Sequence, residues 1–260
     1  MSRAGTWGSA TNPTNEAGQV VSEQLDELRR ELHDLADPVR ANVLQRFFKT
    51  GPGEYGEGDR FLGMRVPQVR ALARVHRTLD RGSLLELLRS PWHEERLLAL
   101  LILVEQYRRG SHAERETIYR TYLENTRYIN NWDLVDTSAE QIVGAYLDPA
   151  CFEVLDQLAR SVSIWERRIA IMATFGWIKQ DTFGPTLHLA ELLLHDSHDL
   201  IHKAVGWMLR EIGKRDRASE ETFLRRHYQE MPRTMLRYAL EHFPEPRRQQ
   251  YLRGDIDPST

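Results

Sequence analysis

A short segment near the middle of the chain combines an indole ring with two carboxylates, in the order Trp132-Asp-Leu-Val-Asp136. Positions i and i+4 of an α-helix lie on one face, so a helix beginning here places Trp132 one turn from Asp136. Such a carboxylate can stabilise positive charge on a reacting group, and an indole face attracts cations. In a second helical pattern Arg168, three residues after Trp165, adds a guanidinium that can pair with a carboxylate or hold a phosphate.

A third helical pattern carries a row of cationic side chains with an aromatic ring in its middle. Lys203, Trp207, Arg210 and Lys214 follow one another at spacings of four, three and four residues, with His202 beside the first of them. These spacings place the row on one face of a helix. A basic row with an interleaved aromatic ring is typical of a surface that binds nucleic acid. The alternative is a solvated charged face with the indole turned toward a neighbouring helix.

If the faces of these three helices line one groove, the groove suits a phosphodiester backbone and an electron-poor, cationic base. Alkylated DNA presents both. Tryptophan more often belongs to a hydrophobic core than to a ligand site. We therefore interpret Trp165, which begins a helix, and Trp177, which lies in an apolar run, as structural.

The two aspartates of the central segment receive different predictions. Asp133 lies in the first helical turn, where a carboxylate complements the positive end of the helix dipole, and we expect a structural role. Asp136 lies one turn deeper among apolar residues, so it must be paired or functional. A buried ion pair with Arg167 or Arg168 is the alternative to a functional role, and the spacing does not decide between them.

Composition indicates a soluble protein of the reducing cytoplasm. A chain of 260 residues with 41% hydrophobic content can bury a core without disulfides, and the single Cys151 cannot form an internal bridge. The aliphatic run at residues 97–104 is far shorter than the roughly 20 residues that a membrane-spanning helix needs. The net charge of −3 is the sum of an acid-rich N-terminal quarter and a C-terminal third that is rich in Lys and Arg. We expect a local positive surface on the C-terminal third.

The spacing of apolar residues predicts an all-α fold, because steps of three and four residues dominate and strand-like alternation is nearly absent. Tryptophan or isoleucine opens a long helix at Trp92, Trp132, Trp165 and Ile201, at intervals of 33 to 40 residues. This period indicates HEAT-like helical repeats stacked into a curved α-solenoid. An ordinary helical bundle is the alternative.

We expect a disordered leader over residues 1–15, one HEAT-like DNA-binding and catalytic domain over 16–254, and a tail over 255–260. The predicted helices cover residues 16–35, 38–48, 66–78, 82–89, 91–108, 112–127, 132–146, 149–160, 163–178, 182–195, 198–214, 218–230 and 232–242.

Other patterns in the chain argue against phosphate-loop and metal chemistry. The glycine-rich loop at residues 51–59 lacks the Gly-Lys-Ser/Thr ending of a phosphate-binding loop, and its three acids would repel phosphate. His195, His198 and His202 are divided by a predicted helix break and lack the spacing of a zinc motif. We predict no metal and no cofactor.

Three motifs together resemble the AlkD-type alkylpurine DNA glycosylases, a DNA alkylation repair family of HEAT-like repeats. They are the segment from Asn131 to Asp136, Trp165-x2-Arg168-x-Ala-Ile, and Lys203-Ala-Val-Gly-Trp207-x-Leu-Arg210-Glu211. The sequence Phe61-Leu-Gly-Met64 is similar to an N-terminal loop of the family. The resemblance covers about residues 38 to 215. The leader and the acidic glycine-rich loop depart from the smaller family members.

The resemblance implies a superhelix that holds duplex DNA on its concave face and excises purines alkylated at N3 or N7, leaving an abasic site. Carried over by position, the functional aspartate is Asp136, the two DNA-facing tryptophans are Trp132 and Trp207, and the active-site arginine is Arg168. The base need not be turned into a deep pocket. Arg168 is expected to hold a backbone phosphate and to keep Asp136 ionised.

Together, the basic row and the resemblance predict that the partner is double-stranded DNA containing alkylated bases. The residues expected to contact this DNA are His202, Lys203, Arg210 and Lys214. We expect a monomer that acts without a membrane. The alternative from another class is a non-catalytic HEAT-repeat scaffold that binds branched DNA, RNA or a protein helix, and the acidic overall balance favours it.

Overall fold

The computed structural model describes residues 13–256, with side chains from residue 23 onward, and in this range the chain is helical without a β-strand. The all-α prediction is confirmed. Most of the predicted leader and the last four residues of the predicted tail lie outside the described residues, and the first helix begins at Pro13. No helix in the described part has the length and apolar content that crossing a membrane requires.

The helices are α1 (Pro13–Asp34), α2 (Pro38–Phe47), α3 (Val66–Val75), α4 (Arg81–Leu88), α5 (His93–Arg109), α6 (His112–Glu124), α7 (Trp132–Asp136), α8 (Glu153–Ala159), α9 (Ile164–Ala173), α10 (Phe175–Ile178), α11 (Gly184–Leu192), α12 (Asp199–Arg215), α13 (Arg217–His227), α14 (Arg233–Ala239) and α15 (Glu245–Arg253). Short 3₁₀ segments cover Thr126–Tyr128 and Leu240–His242, and a π-helical turn covers Glu140–Gly144. Two compact units divide the chain, Met1–Ile102 and Leu103–Thr260.

In the first unit, α1 contributes a stripe of apolar residues to the core. Leu25, Leu28 and Leu32 are all buried, while Leu35 at the end of the stripe is 42% exposed. Helix α2 differs, because its apolar residues Val43 and Phe47 are each 61% exposed and the helix buries no side chain. Periodicity identifies the apolar face of a helix, but another element must cover that face before it becomes core.

The second unit is built from helices that pack against their neighbours along the chain. Helix α9 contacts α7, α8 and α12, and α12 in turn contacts α13 and α14. Every side chain from Arg168 to Ala173 of α9 is buried. The repeat spacing predicted from the sequence is confirmed, since α5, α7, α9 and α12 begin within two residues of the predicted openings. The helices that carry the predicted site are therefore successive members of one repeat series.

Two of these repeat helices are interrupted where the sequence predicts continuous helix. After α7, the hydroxyl groups of Thr137 and Ser138 donate to the carbonyls of Asp133 and Leu134, at 2.7 and 2.5 Å. Between α9 and α10, the Thr174 hydroxyl donates to the Ile171 carbonyl at 2.8 Å. Hydroxyl groups that compete for helix carbonyls in this way bend or end helices.

Helix α15 was not predicted. Of its nine residues, Tyr251 alone is buried among the described side chains, so the segment has no apolar stripe from which a helix could be recognised. Terminal signals are present instead, because Pro246 lies in the first turn and Gly254 ends the helix with φ of 84°. Proline near the start and glycine after the end are the usual termini of a helix.

Helices α12 and α13 approach each other closely at Gly213, where a Cβ would meet the Glu220 carboxylate. Glu220 is 1% exposed, and its Oε1 has no hydrogen-bond partner among the described residues. Burial raises the pKa of Glu220 to about 8, and the nearby Arg217 only partly offsets this. The carboxyl group is therefore mainly protonated at neutral pH.

We expect Glu220→Gln to remove a pH-dependent loss of stability. The pKa of Glu220 is about 8 in the folded state and near 4.5 when exposed, so the folded state holds the proton more tightly. Between these values a rise in pH favours the unfolded state by on the order of 1 kcal/mol per unit. Denaturant unfolding between pH 5 and pH 8 should show a smaller decline for Glu220→Gln than for the wild type. Glu153→Gln, at an exposed position, is the control, and equal declines in all three proteins would contradict the prediction.

Candidate functional site

The centre of the site is a bidentate ion pair between α7 and α9. Asp136, the last residue of α7, accepts a hydrogen bond at each carboxylate oxygen from Arg168, from Nε to Oδ1 and from Nη2 to Oδ2, both at 2.8 Å. The third nitrogen, Nη1, donates to the Leu200 carbonyl of α12 at 2.6 Å. One guanidinium thus joins three consecutive helices of the repeat series.

The pair is unequally buried. The Arg168 side chain is 6% exposed and that of Asp136 is 14% exposed. Burial raises the pKa of the Asp136 carboxyl, and the Arg168 guanidinium opposes that rise. Because both oxygens accept hydrogen bonds from a permanently charged group, the geometry is that of an ionised carboxylate. Each oxygen retains a second lone pair, which can accept a hydrogen bond at the exposed edge.

Of the interpretations that the sequence left open for Asp136, the structure contains the ion pair, and the partner is Arg168. Arg167 pairs instead with Asp196, with 2.6 Å between Nε and Oδ2. The expected role of Arg168 as a phosphate-binding residue does not fit this structure, because its guanidinium is buried and all three nitrogens already donate. Arg168 is a group that positions Asp136.

The start of α7 is fixed by its own side chains. Asn131 caps the helix and accepts a hydrogen bond from the Trp132 amide at 2.8 Å, while Asp133 accepts one from the Leu134 amide at 2.9 Å. The contact of Asp133 with a neighbouring backbone amide agrees with the structural role that we expected for this residue. Trp132 is half-buried one turn before Asp136. Its placement on α7 agrees with the sequence, and its contact with DNA stays a prediction.

Three further tryptophans differ in burial, and the structural role expected of Trp165 and Trp177 agrees with theirs. Trp165 and Trp177 are buried, at 9% and 3% exposure, and belong to the core. Trp207 is half-buried on α12, with its ring centroid 5.9 Å from that of Phe175 on α10. The Lys179 ammonium lies 4.0 Å from the Phe175 ring centroid and 2.5 Å from Glu140 Oε1. An aromatic and charged surface thus connects α10 with α12.

The basic row on α12 is organised around an acid that the sequence interpretation did not select. Glu211 Oε1 accepts hydrogen bonds from Trp207 Nε1 at 3.0 Å and Lys214 Nζ at 2.7 Å, and Arg210 Nη2 lies 3.4 Å away. Partial burial acts to raise the pKa of the Glu211 carboxyl, but the hydrogen bonds from Lys214 and Trp207 outweigh it and lower the pKa. Glu211 is therefore charged and holds the indole by its edge.

The other cations of the row are paired with acids as well. Lys203 Nζ lies 2.7 Å from Asp199 Oδ2, and Arg210 also pairs with Glu241 from the segment after α14. His202 contacts the Asp196 carbonyl through Nε2, so this nitrogen already has a partner. The positive charge of this row on α12 is thus largely neutralised by neighbouring carboxylates.

The spacing of the sequence contains a signal for the role of Glu211. The residue lies four positions after Trp207 and three before Lys214, both distances at which helical side chains meet. The contribution of Phe175 and Glu140 has no such signal, because they reach the surface from elements 30 to 70 residues away in the chain. Only tertiary packing brings them there.

The patterns set aside in the sequence have other partners. His195 pairs with Glu230 and His198 caps α12 by accepting from the Leu200 amide. In the described residues, no group of three or more His, Cys, Asp or Glu is placed to hold a metal ion. Glu54 and Glu57 of the glycine-rich loop accept hydrogen bonds from the loop's own amides. These features serve local structure.

A helical repeat fold that holds an ionised carboxylate between two repeats, and carries an aromatic and charged surface on α10 and α12, defines a class of protein suited to a charged, planar ligand. The sequence profile of the DNA alkylation repair enzyme family matches residues 28–243, so the chain belongs to this family. The narrower resemblance to AlkD-type glycosylases remains a prediction.

A solved structure supports the fold assignment. The chain is similar to a predicted DNA alkylation repair enzyme from Enterococcus faecalis, with a TM-score of 0.61 and 16% sequence identity over 81% of this chain and 97% of that one. At this identity the similarity concerns the fold. Among curated protein sequences, none matches the chain.

We expect Glu211→Ala to release the Trp207 indole from its acceptor, whereas Glu211→Gln should retain that hydrogen bond through the amide oxygen. A hydrogen bond contributes about 1 kcal/mol, which corresponds to roughly fivefold in the exchange rate of the indole N–H. NMR hydrogen exchange of the tryptophan side chains measures this rate, and Trp207→Phe assigns the resonance. Unchanged exchange in Glu211→Ala would show that Glu211 does not hold the ring.

Proposed function

We propose that the protein is a monofunctional DNA glycosylase that hydrolyses the N-glycosidic bond of cationic purines alkylated at N3 or N7 in duplex DNA. The observation that carries this proposal is the Asp136 carboxylate, kept ionised by the buried Arg168 and 14% exposed. Membership of the DNA alkylation repair enzyme family supports it. The reaction needs negative charge beside the sugar, and Asp136 supplies it.

The chemistry follows from the charge of the substrate. Alkylation at N3 or N7 makes the purine cationic, so the base departs as a neutral molecule with the electron pair of the broken C1′–N bond. Water adds to C1′, and its proton is released to solvent. The deoxyribose gains positive charge between these events, and a carboxylate near the sugar stabilises this oxocarbenium-like state. No acid is needed to protonate the base.

The size of the effect is set by the distance and by the partner of Asp136. Two unit charges about 4 Å apart interact by roughly 4 kcal/mol at an effective dielectric of 20. Arg168 lies behind the carboxylate and subtracts part of this, so we expect a rate contribution on the order of 10²- to 10³-fold. An ionised Asp136 also cannot protonate an undamaged, neutral purine, and this favours cationic lesions.

Trp132 and Trp207 are proposed to present their indole faces to the cationic nucleotide. Such contacts contribute about 0.5–2 kcal/mol each. Glu211 accepts a hydrogen bond from the indole N–H of Trp207, and the Phe175 ring packs against the indole. The indole is therefore positioned before DNA arrives, which reduces the entropic cost of binding.

Lys203, Arg210 and Lys214 are proposed to bind phosphates by exchanging their carboxylate partners for the DNA backbone. The Lys203 and Lys214 side chains are 39% and 42% exposed, and exposed ion pairs contribute only about 0–1 kcal/mol, so a phosphate can compete for these two cations. The Arg210 side chain is 17% exposed, so exchange of its partner costs more. Until DNA binds, the paired acids weaken attraction to other polyanions. We propose that His202 supports the start of α12, because its Nε2 contacts the Asp196 carbonyl.

We expect Asp136→Asn to lower release of 7-methylguanine or 3-methyladenine from methylated duplex DNA by on the order of 10²- to 10³-fold while DNA binding changes little. The substitution also leaves Arg168 without its counter-ion, and removing one partner of a buried pair costs about 3–5 kcal/mol of stability. Chromatography of liberated base, at a temperature where the variant is folded, measures the effect on the reaction.

Asp196→Asn is the matched control. Asp196 pairs with Arg167, the residue before Arg168, and this pair is also mostly buried, at 14% exposure for Arg167 and 5% for Asp196. The control should lose comparable stability but keep base release. Equal losses of release in both variants would assign the effect to folding and remove Asp136 from the mechanism. A wild-type protein that binds DNA and releases no base would favour the scaffold alternative.

A further inference from the structure

The first unit contains a basic segment that the site described above does not use. The twenty residues from Arg60 to Leu79 include five arginines and no acidic residue. Acidic residues flank the segment on both sides, Asp59 before it and Asp80 after it, and it contains α3.

Helix α3 carries two of these arginines on one exposed face. Arg70 and Arg74 lie one helical turn apart, while Val69 and Ala73 on the adjoining face are buried. Within residues 23–256, neither guanidinium has a hydrogen bond or ion pair. Glu31 of α1 pairs instead with His76, the residue after α3, with 3.0 Å between Oε2 and Nε2. Two like charges at this spacing repel each other, so they do not stabilise the isolated helix.

The state of these arginines differs from that of the basic row on α12. Lys203, Arg210 and Lys214 each lie against a carboxylate. A phosphate must displace an acid to reach them, whereas the guanidinium groups of Arg70 and Arg74 have no partner among the side chains that the structure describes. Arginine binds phosphate oxygens through paired N–H donors.

The loop before α3 is fixed by a buried carboxylate. Glu94, at 2% exposure, accepts hydrogen bonds from the amides of Leu62 and Gly63 at 2.8 Å and of Met64 at 3.2 Å. Gly63 has φ of 91°, and a Cβ there would lie 2.1 Å from the Asp37 carbonyl oxygen. The start of α3 is therefore held against both α5 and the start of α2, so its arginines are presented by a rigid support.

We propose that the exposed face of α3 is a second binding surface for the DNA backbone, with Arg70 and Arg74 each contacting a phosphate. The two residues are separated by a rise of about 6 Å along the helix, and duplex DNA carries one charge per roughly 1.7 Å of its axis. Neighbouring phosphates are thus within reach of the pair. The inference rests on the proposed partner, duplex DNA, and is independent of the glycosylase reaction.

The test is the salt dependence of binding to undamaged duplex DNA. Each phosphate contact contributes about 0.9 to the slope of log K against log salt concentration, so Arg70→Ala with Arg74→Ala should reduce the slope by about 1.8. The control is Arg226→Ala with Arg253→Ala, which removes two exposed arginines of the second unit that have no partner within residues 23–256. It changes the net charge equally and should leave the slope unchanged.

Three results would overturn the inference: an unchanged slope in the α3 variant, equal reductions in both variants, or a reduction seen with duplex RNA and absent with DNA. Thermal unfolding checks that both variants are folded, as expected for exposed side chains. If the wild type releases no methylated base, the glycosylase proposal fails, yet the difference in slope between the variants still decides the role of α3.

Discussion

The site depends on one buried guanidinium. Arg168 donates to both oxygens of Asp136 and to the Leu200 carbonyl, so α7, α9 and α12 meet at a single side chain. Removing an arginine from water is costly, and the cost is offset only when its donors have partners. Here the three nitrogens do, and the direction of the Asp136 carboxylate follows from their geometry. The position of the proposed reactive group is thus determined by packing between repeats.

The degree of pairing divides the cationic side chains into three groups. The Arg168 pair is buried, the pairs on α12 are partly exposed, and Arg70 and Arg74 on α3 have no partner in the described part of the chain. Solvent exposure sets the strength of each ion pair, because water screens charges at the surface and leaves buried charges unscreened. A net charge of −3 consequently says little about where a polyanion would bind.

Much of the fold was predictable because helical periodicity reports local structure. The openings of α7 and α9 follow from their tryptophans, and that of α12 follows from Ile201 and the apolar spacing. The pairing of Asp136 with an arginine of the next repeat was one of two open possibilities. The exposure of Val43 and Phe47, the missed α15 and the contribution of Phe175 were not predictable, because each depends on which other element packs there. Periodicity cannot supply that information.

Stability alone gives a poor explanation for Asp136. The residue ends α7, where the helix dipole is unfavourable for an anion, and burial raises the pKa of its carboxyl group. Replacing a buried ion pair with apolar residues is often neutral or stabilising. An apolar pair between α7 and α9 would satisfy the same packing, but it would place no charge at the partly exposed edge. The arrangement therefore costs stability in order to keep a carboxylate ionised at one defined position, as the proposed reaction requires.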